Sequence, residues 1–277
     1  MIIGNREFDL KNHTYVMGIL NVTPDSFSDG GKFNRMDQAL FHVQEMLDQG
    51  MDILDIGGES TRPGYQPLPV QEEIERVLPV IEEVKKRFQV PISLDTCKGE
   101  VARVGILAGA DLINDIWGLK YDDSLAQVLG DAQVPCVLMH NRKEAVYESF
   151  MKDVISDLGE SIAIAHRAGI SDEKIILDPG VGFGKTREHN LEIIGRLEQL
   201  KTLGYPLLLG TSRKSVIGLT LDLPVNERLE GTLVTTVFGV MKGCGIVRVH
   251  DVKENVRAVK MTEAIREASG EVCNGFY

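Results

Sequence analysis

Asp95, Asn114 and Asp178 supply two carboxylates and an amide, while Lys214, Arg248 and His250 supply positive or proton-carrying groups. A carboxylate facing an amino-pyrimidinone edge accepts two parallel hydrogen bonds, as it does from a guanidinium, so the first set suits a flat ring with several N–H donors. The second set, with Arg213 beside Lys214, suits a phosphate or pyrophosphate. Together they describe a polar heterocycle joined to an anionic group. Each residue also has a plainer reading. Asp95 can cap a helix beginning near Gly99. Asn114 and Asp115 can hold a turn through their own backbone, and Asp178, before Pro179, can simply open one. Lys214 and Arg248 can be solvated surface cations. His140 reads as a packed histidine rather than a catalyst, and Asp55 as a brace inside the fold.

The elements that must position these residues are short apolar runs rich in Val, Ile and Leu: 15–20, 52–56, 92–96, 112–116, 136–140, 175–178, 207–211 and 246–250. Strands apolar along their whole length are expected where both faces of a parallel sheet are covered. Helical periodicity marks 36–49, 70–88, 162–168, 191–203, 227–241 and 254–268, with Gly50, Gly169 and Gly204 placed to end three of them in left-handed caps. Alternating strands and helices give parallel βα units with right-handed crossovers. Eight strands predict an α/β TIM (β/α)8 barrel, with an open doubly wound sheet as the alternative. Residues 2–11, with Gly4-Asn5 near a turn, fit a short N-terminal hairpin closing the barrel's bottom. No linker, low-complexity tract or second domain interrupts residues 1–277, which read as a single barrel domain.

Polar residues stand at or just past every strand end: Asn21, Asp55 with Glu59, Asp95, Asn114 with Asp115, His140, Asp178, Ser212 with Arg213 and Lys214, and Arg248 with His250. One polar strand end means little, because loops are polar anyway. Eight imply a site lined from all sides, at the face where barrel active sites are built.

The chain has 277 residues, suited to one such barrel, and 43% hydrophobic residues, enough for a sizeable core. A net charge of −11 argues against broad binding to nucleic acid or anionic membrane. Cys97, Cys136, Cys244 and Cys273 are far apart, without the spacing of a zinc cluster or a disulfide framework. With no apolar run of membrane length and no secretory leader at its start, the chain is expected to be a cytoplasmic enzyme with small-molecule substrates.

Two glycine-containing stretches qualify as ligand loops. Residues 180–186, GVGFGKT, resemble a P-loop, but the required first glycine falls at Pro179 and the motif fails. Its glycines instead let backbone pass close under a bound ring, with Phe183 available to cover it. Residues 21–31, polar and small with two final glycines, describe a loop able to close over a ligand. Phe27 at its tip favours that over an exposed turn.

These residues resemble the dihydropteroate synthases, the pterin-binding TIM-barrel family. Residues 21–30 resemble the family's first signature and 55–64, DIGGESTRPG, its second. Runs at 93–96, 113–115, 138–140, 177–180, 182–185, 212–215 and 248–250 follow in the family's order, so the likeness spans about 16–252. The resemblance implies a transferase of folate biosynthesis and sulfonamide target. It condenses 6-hydroxymethyl-7,8-dihydropterin pyrophosphate with p-aminobenzoate, giving 7,8-dihydropteroate and pyrophosphate by dissociative substitution at the pterin methylene. It implies that Asp95, Asn114, Met139, Asp178, Phe183, Gly210, Lys214 and Arg248 bind the pterin, and that Asn21, Thr61, Arg248 and His250 bind the pyrophosphate, with Mg²⁺ on Asn21. Phe27, Thr61, Arg62, Pro63, Phe183, Lys214 and Ser215 would shape the p-aminobenzoate pocket. Asp95, Lys214, Arg248 and His250 would carry the catalysis, in a homodimer. Two other classes share the barrel: a pterin-binding methyltransferase, which has no need of a pyrophosphate site, and a non-catalytic scaffold.

Overall fold

The computed structural model describes residues 1–22, 32–59 and 68–270, with side chains in the first helix from Met36 onward. Phe27, Thr61, Arg62 and Pro63 lie outside the described residues. Eight parallel strands form the sheet: β3 Tyr15–Asn21, β4 Ile53–Gly57, β5 Ile92–Asp95, β6 Leu112–Asp115, β7 Cys136–Met139, β8 Ile175–Asp178, β9 Leu208–Leu209 and β10 Ile246–Val249. They neighbour one another in the order β8-β7-β6-β5-β4-β3-β10-β9. A parallel bridge between Leu177 and Leu207 joins the two ends, so the sheet closes on itself as a barrel. Strands of four or five residues suffice because both ladder partners are present around the ring, leaving no edge to protect.

The helices are α1 Lys32–Asp48, α2 Val70–Arg87, α3 Gly99–Ala108, α4 Asp123–Ala132, α5 Phe150–Arg167, α6 Arg187–Gly195, α7 Ser215–Leu221, α8 Leu229–Met241 and α9 Val252–Ser269. Gly50, Gly169 and Gly204 have φ of 96°, 80° and 86°, as left-handed terminators should. The periodic run 191–203 is two pieces, α6 and a 3-10 segment Leu197–Leu203. α3 begins at Gly99, where the sequence places a helix start. α4 and α7 have no counterpart in the sequence pattern; at ten and seven residues they are too short for a three- or four-residue rhythm to stand out.

Alternation along the strands sorts the core into two layers. Leu54, Ile56, Leu94, Ile113, Leu138, Leu177, Leu209 and Val247 point outward into the large cluster beneath the helices. Met17, Ile53, Leu112, Val137, Ile176, Leu208 and Ile246 point inward and form an apolar floor. A hairpin of β1 Ile2–Ile3 and β2 Arg6–Glu7 turns at Gly4, φ 63°. Ile3, Phe8 and Leu10 press into that floor from below, sealing the N-terminal end of the barrel as the hairpin reading expects. The hairpin thus plugs the N-terminal end with side chains, and the polar strand ends stand at the other.

Candidate active site

Residues two apart on a strand share a face. Climbing the barrel interior from the apolar floor therefore leads from Ile53 to Asp55, Leu112 to Asn114, Val137 to Met139, Ile176 to Asp178, Leu208 to Gly210 and Ile246 to Arg248. On β5 the same step joins Ser93 to Asp95. One turn of the strand pleat thus converts a dry layer into a polar one. Strand register aligns it: Asn21 lies opposite Gly57, Gly57 opposite Asp95, and Asp95 opposite Asn114. Across the barrel, Met139 lies opposite Asp178.

Arg248 sits at the centre. Its Nε donates to Asp55 Oδ2 at 2.7 Å and its Nη2 to Asp95 Oδ2 at 2.8 Å. Asp55 is fully buried and also accepts from Ser93 Oγ at 2.5 Å. Burial works against the guanidinium's charge, but Asp55 and Asp95 more than offset it and hold its pKa above the ordinary value. The plain reading of Arg248 as a solvated surface cation fails. Any anion it meets must share it with two carboxylates.

Burial pushes the Asp95 carboxyl up to about 7, against the opposing pull of Arg248 and with repulsion from Asp55. Asp95 does not cap α3: the amide of Gly99 donates to Asp122 Oδ2 instead, at 2.7 Å. Asp178 serves two purposes. One oxygen accepts from the amide of Gly180 at 2.7 Å, opening the turn. A β-carbon on Gly210 would stand 3.8 Å from its other oxygen, 3.9 Å from Arg248 Cβ and 3.9 Å from Lys214 Nζ. Asp178, Lys214 and Arg248 therefore surround one patch of bare backbone. Burial raises the Asp178 carboxyl, opposed first by Lys214. It also lowers the Lys214 ammonium to about 8, opposed by Asp178. The turn attributed jointly to Asn114 and Asp115 belongs to Asp115 alone, which accepts from the amides of Trp117 and Leu119.

The glycine loop after β8 comes over this patch. Lys214 Nζ donates to Val181 O at 2.5 Å and lies 4.7 Å from the centre of the Phe183 ring. His250 is tied to β9's end through Ser212 Oγ, 3.1 Å from its amide and 3.0 Å from Nδ1. Arg213 turns away to form an ion pair with Asp251, so it does not join Lys214 as a cation of the site. Ser215 is exposed as the first residue of α7. Asn21 is exposed at the rim, where its Oδ1 would lie 3.8 Å from a β-carbon placed on Gly57. Among the described residues no group of three or more His, Cys, Asp or Glu is arranged to hold a metal ion. Two further groups escaped the sequence reading. Lys98, buried between Glu59 and Glu73, also donates to Leu68 O at 2.9 Å. Lys185, read as part of a failed P-loop and of the run 182–185 but given no role, sits under the glycine loop within hydrogen-bonding distance of His140.

The mouth of this closed barrel carries carboxylates, an amide and two half-buried cations, and the pterin binding enzymes match residues 17–250. The chain belongs to that family. Its place there is among the dihydropteroate synthases, which are transferases. It is 60% identical over 266 residues to the dihydropteroate synthase of Clostridium beijerinckii, covering 96% of this chain and 99% of the relative. A dihydropteroate synthase from Clostridium difficile, solved in the presence of pteroic acid, superposes with a TM-score of 0.91 at 51% identity, covering 94% of this chain and 99% of that one. The Yersinia pestis enzyme, solved as a sulfonamide drug complex, does so with a TM-score of 0.90 at 42% identity, covering 96% and 99%.

Replacing Arg248 by Met is expected to lower the unfolding free energy by about 3–5 kcal/mol, because Asp55 and Asp95 lose their counter-charge in a buried layer. Urea denaturation measures this. A loss under about 1 kcal/mol would mean the pair behaves like an exposed one.

Proposed function

We propose that this chain joins 6-hydroxymethyl-7,8-dihydropterin pyrophosphate to p-aminobenzoate by dissociative substitution at the pterin methylene. The observation that carries the reading is the convergence of Asp178, Lys214 and Arg248 around Gly210, beside a row of Asn21, Asp95 and Asn114. Asp178, Asn114 and Asp95 take the N–H groups of the pterin edge, replacing the water that burial removes from them. Gly210 leaves room for the ring, with Met139 and Phe183 packed about it. Lys214, held by Val181 O and the Phe183 ring, donates to the pterin from the opposite side.

The carbon–oxygen bond to the pyrophosphate breaks and its electron pair leaves with the phosphate. Positive charge spreads into the electron-rich pterin, where the Asp95 carboxylate stabilises it electrostatically. His250 and Arg248, with Thr61, receive the pyrophosphate. The aniline nitrogen then attacks the methylene and loses its proton, with no covalent bond to the enzyme. Phe27, Thr61, Arg62, Pro63, Phe183, Lys214 and Ser215 form the p-aminobenzoate pocket and exclude water that would trap the cation. The donor chemistry fits Mg²⁺. Asn21 Oδ1, a hard oxygen at the rim, would hold the ion, and an ion that keeps waters and substrate phosphates needs few protein ligands. When bound, Mg²⁺ neutralises charge on the departing pyrophosphate.

The same reading makes the whole chain one catalytic domain, supported by the family match over 17–250. It puts the enzyme in the cytoplasm, where the buried thiols of Cys97 and Cys136 suit a reducing environment. No helix among the described residues is long and apolar enough to cross a membrane. A homodimer is supported by apolar side chains left exposed on neighbouring helices: Val234, Phe238 and Met241 on α8, Met261 and Ile265 on α9. Sedimentation equilibrium is expected to return twice the chain mass, and a monomer at micromolar concentration would remove that part of the reading.

Mixing the folded protein with both substrates and Mg²⁺ is expected to release pyrophosphate in step with dihydropteroate. No release would defeat the assignment. Asp178→Ala is expected to weaken pterin binding by about 2–4 kcal/mol, since it strands buried donors of the ring. Calorimetry giving unchanged affinity would remove Asp178 from the pterin site.

A further inference from the structure

Lys185 lies beneath the loop that carries Phe183, outside every group assigned above to substrate. Its Nζ is 2.8 Å from His140 Nδ1, 2.8 Å from Gly180 O and 3.0 Å from Phe183 O, with His140 O further off at 3.4 Å. An ammonium has three hydrogens and no acceptor, so the three nearer contacts use it fully. A neutral amine would bring its lone pair against one of these acceptors.

The histidine is set to match. For Nδ1 to accept, the ring hydrogen must be on Nε2, and Nε2 lies 3.0 Å from Asp157 Oδ2. Asp157 is in turn held by Arg142, Nε to Oδ2 at 2.6 Å and Nη2 to Oδ1 at 3.1 Å. Burial keeps the imidazole neutral by lowering its pKa to about 4, against the pull of Asp157. A neutral ring with one fixed hydrogen can serve permanently as an acceptor. Burial also lowers the Lys185 ammonium to about 7, opposed first by Asp178. Asp157 opposes the lowering as well.

The loop is moulded closely over this cation. Gly180, Gly182 and Gly184 all have positive φ, and a β-carbon on Gly180 would meet His140 O at 1.8 Å. Between the two carbonyls that Lys185 holds, at Gly180 and Phe183, lies Val181, whose own carbonyl receives Lys214. Fixing residues 180 and 183 therefore fixes both groups that seat Lys214, the Val181 carbonyl and the Phe183 ring.

We propose that Lys185 is a positioning residue for this reaction: its ammonium, seated on His140, Gly180 and Phe183, rigidifies the loop after β8 so that Lys214 and Phe183 are held ready over the pterin site. The inference rests on the reading of Lys214 and Phe183 as pterin-binding groups. It assigns Lys185 no contact with substrate.

Pterin affinity by calorimetry and unfolding midpoints are compared for the parent chain, Lys185→Met, Phe183→Ala and the double variant. Lys185→Met is expected to weaken pterin binding about tenfold, and in the Phe183→Ala background the same change is expected to cost under about threefold, the non-additivity of groups acting through one another. Lys185→Arg, which keeps charge and donors, is expected to recover part of the loss. Parent affinity in Lys185→Met would overturn the proposal. So would an equal loss with and without Phe183, which would make Lys185 a general brace of the fold. If Lys185→Met does not fold, His140→Phe, which removes the Nδ1 acceptor and keeps a ring, goes through the same cycle with the same two readings. Unchanged affinity in Phe183→Ala counts against the pterin role of Phe183, and Lys185→Met alone then decides the lysine's.

Discussion

One guanidinium shared by two buried carboxylates is the constraint around which the mouth of this barrel is organised. Asp55 and Asp95 stand above an apolar floor, in a layer where an unpaired charge would be costly. Arg248 reaches both from β10, with Nε on one and Nη2 on the other. A planar, permanently charged fork can do this; a lysine, as a point charge, cannot offer the same two directed donors. The arrangement keeps carboxylates available at a depth where water is scarce. Ser93 and Arg248 occupy both oxygens of Asp55, whereas Arg248 occupies Oδ2 of Asp95.

The second half of the site is balanced in a similar way. Asp178 and Lys214 face each other across Gly210, each shifted by burial toward its neutral form and each opposed by the other. Such mutual support makes the site sensitive to where Lys214 is held, and its holders belong to a loop rather than to a strand. Strands position the carboxylates and the amide; the loop after β8, anchored from below through Lys185, His140 and Asp157, positions the cation. Rigid and adjustable parts of the pocket have different structural origins.

Much of this was legible in the residues. Wholly apolar runs such as 175–178 mark strands covered on both faces, and each closes on a polar residue because the barrel's interior changes from packed floor to ligand pocket within two residues. Glycine terminators at 50, 169 and 204 were equally plain. The pairing of Arg248 with Asp55 was not, because nothing local links residues 193 apart in sequence; only the barrel, which sets β10 against β3 and β3 against β4, brings them together. Lys185 escaped for the opposite reason. Its partners are mostly backbone carbonyls of its own loop, and carbonyls leave no trace in residue type. α4 was missed because ten residues carry too few turns for an apolar rhythm to rise above chance, although Asp122 does cap it by accepting from the amide of Ser124.

The central claim is that Asp95 is desolvated and held by Arg248. Carboxyl-carbon NMR of the ligand-free protein tests it most directly. Asp95 is expected to titrate near 7, and its midpoint to rise further in the Arg248→Met protein, because the guanidinium is what opposes burial. A midpoint in the ordinary carboxylate range of about 3–4, unmoved by the loss of Arg248, would contradict it.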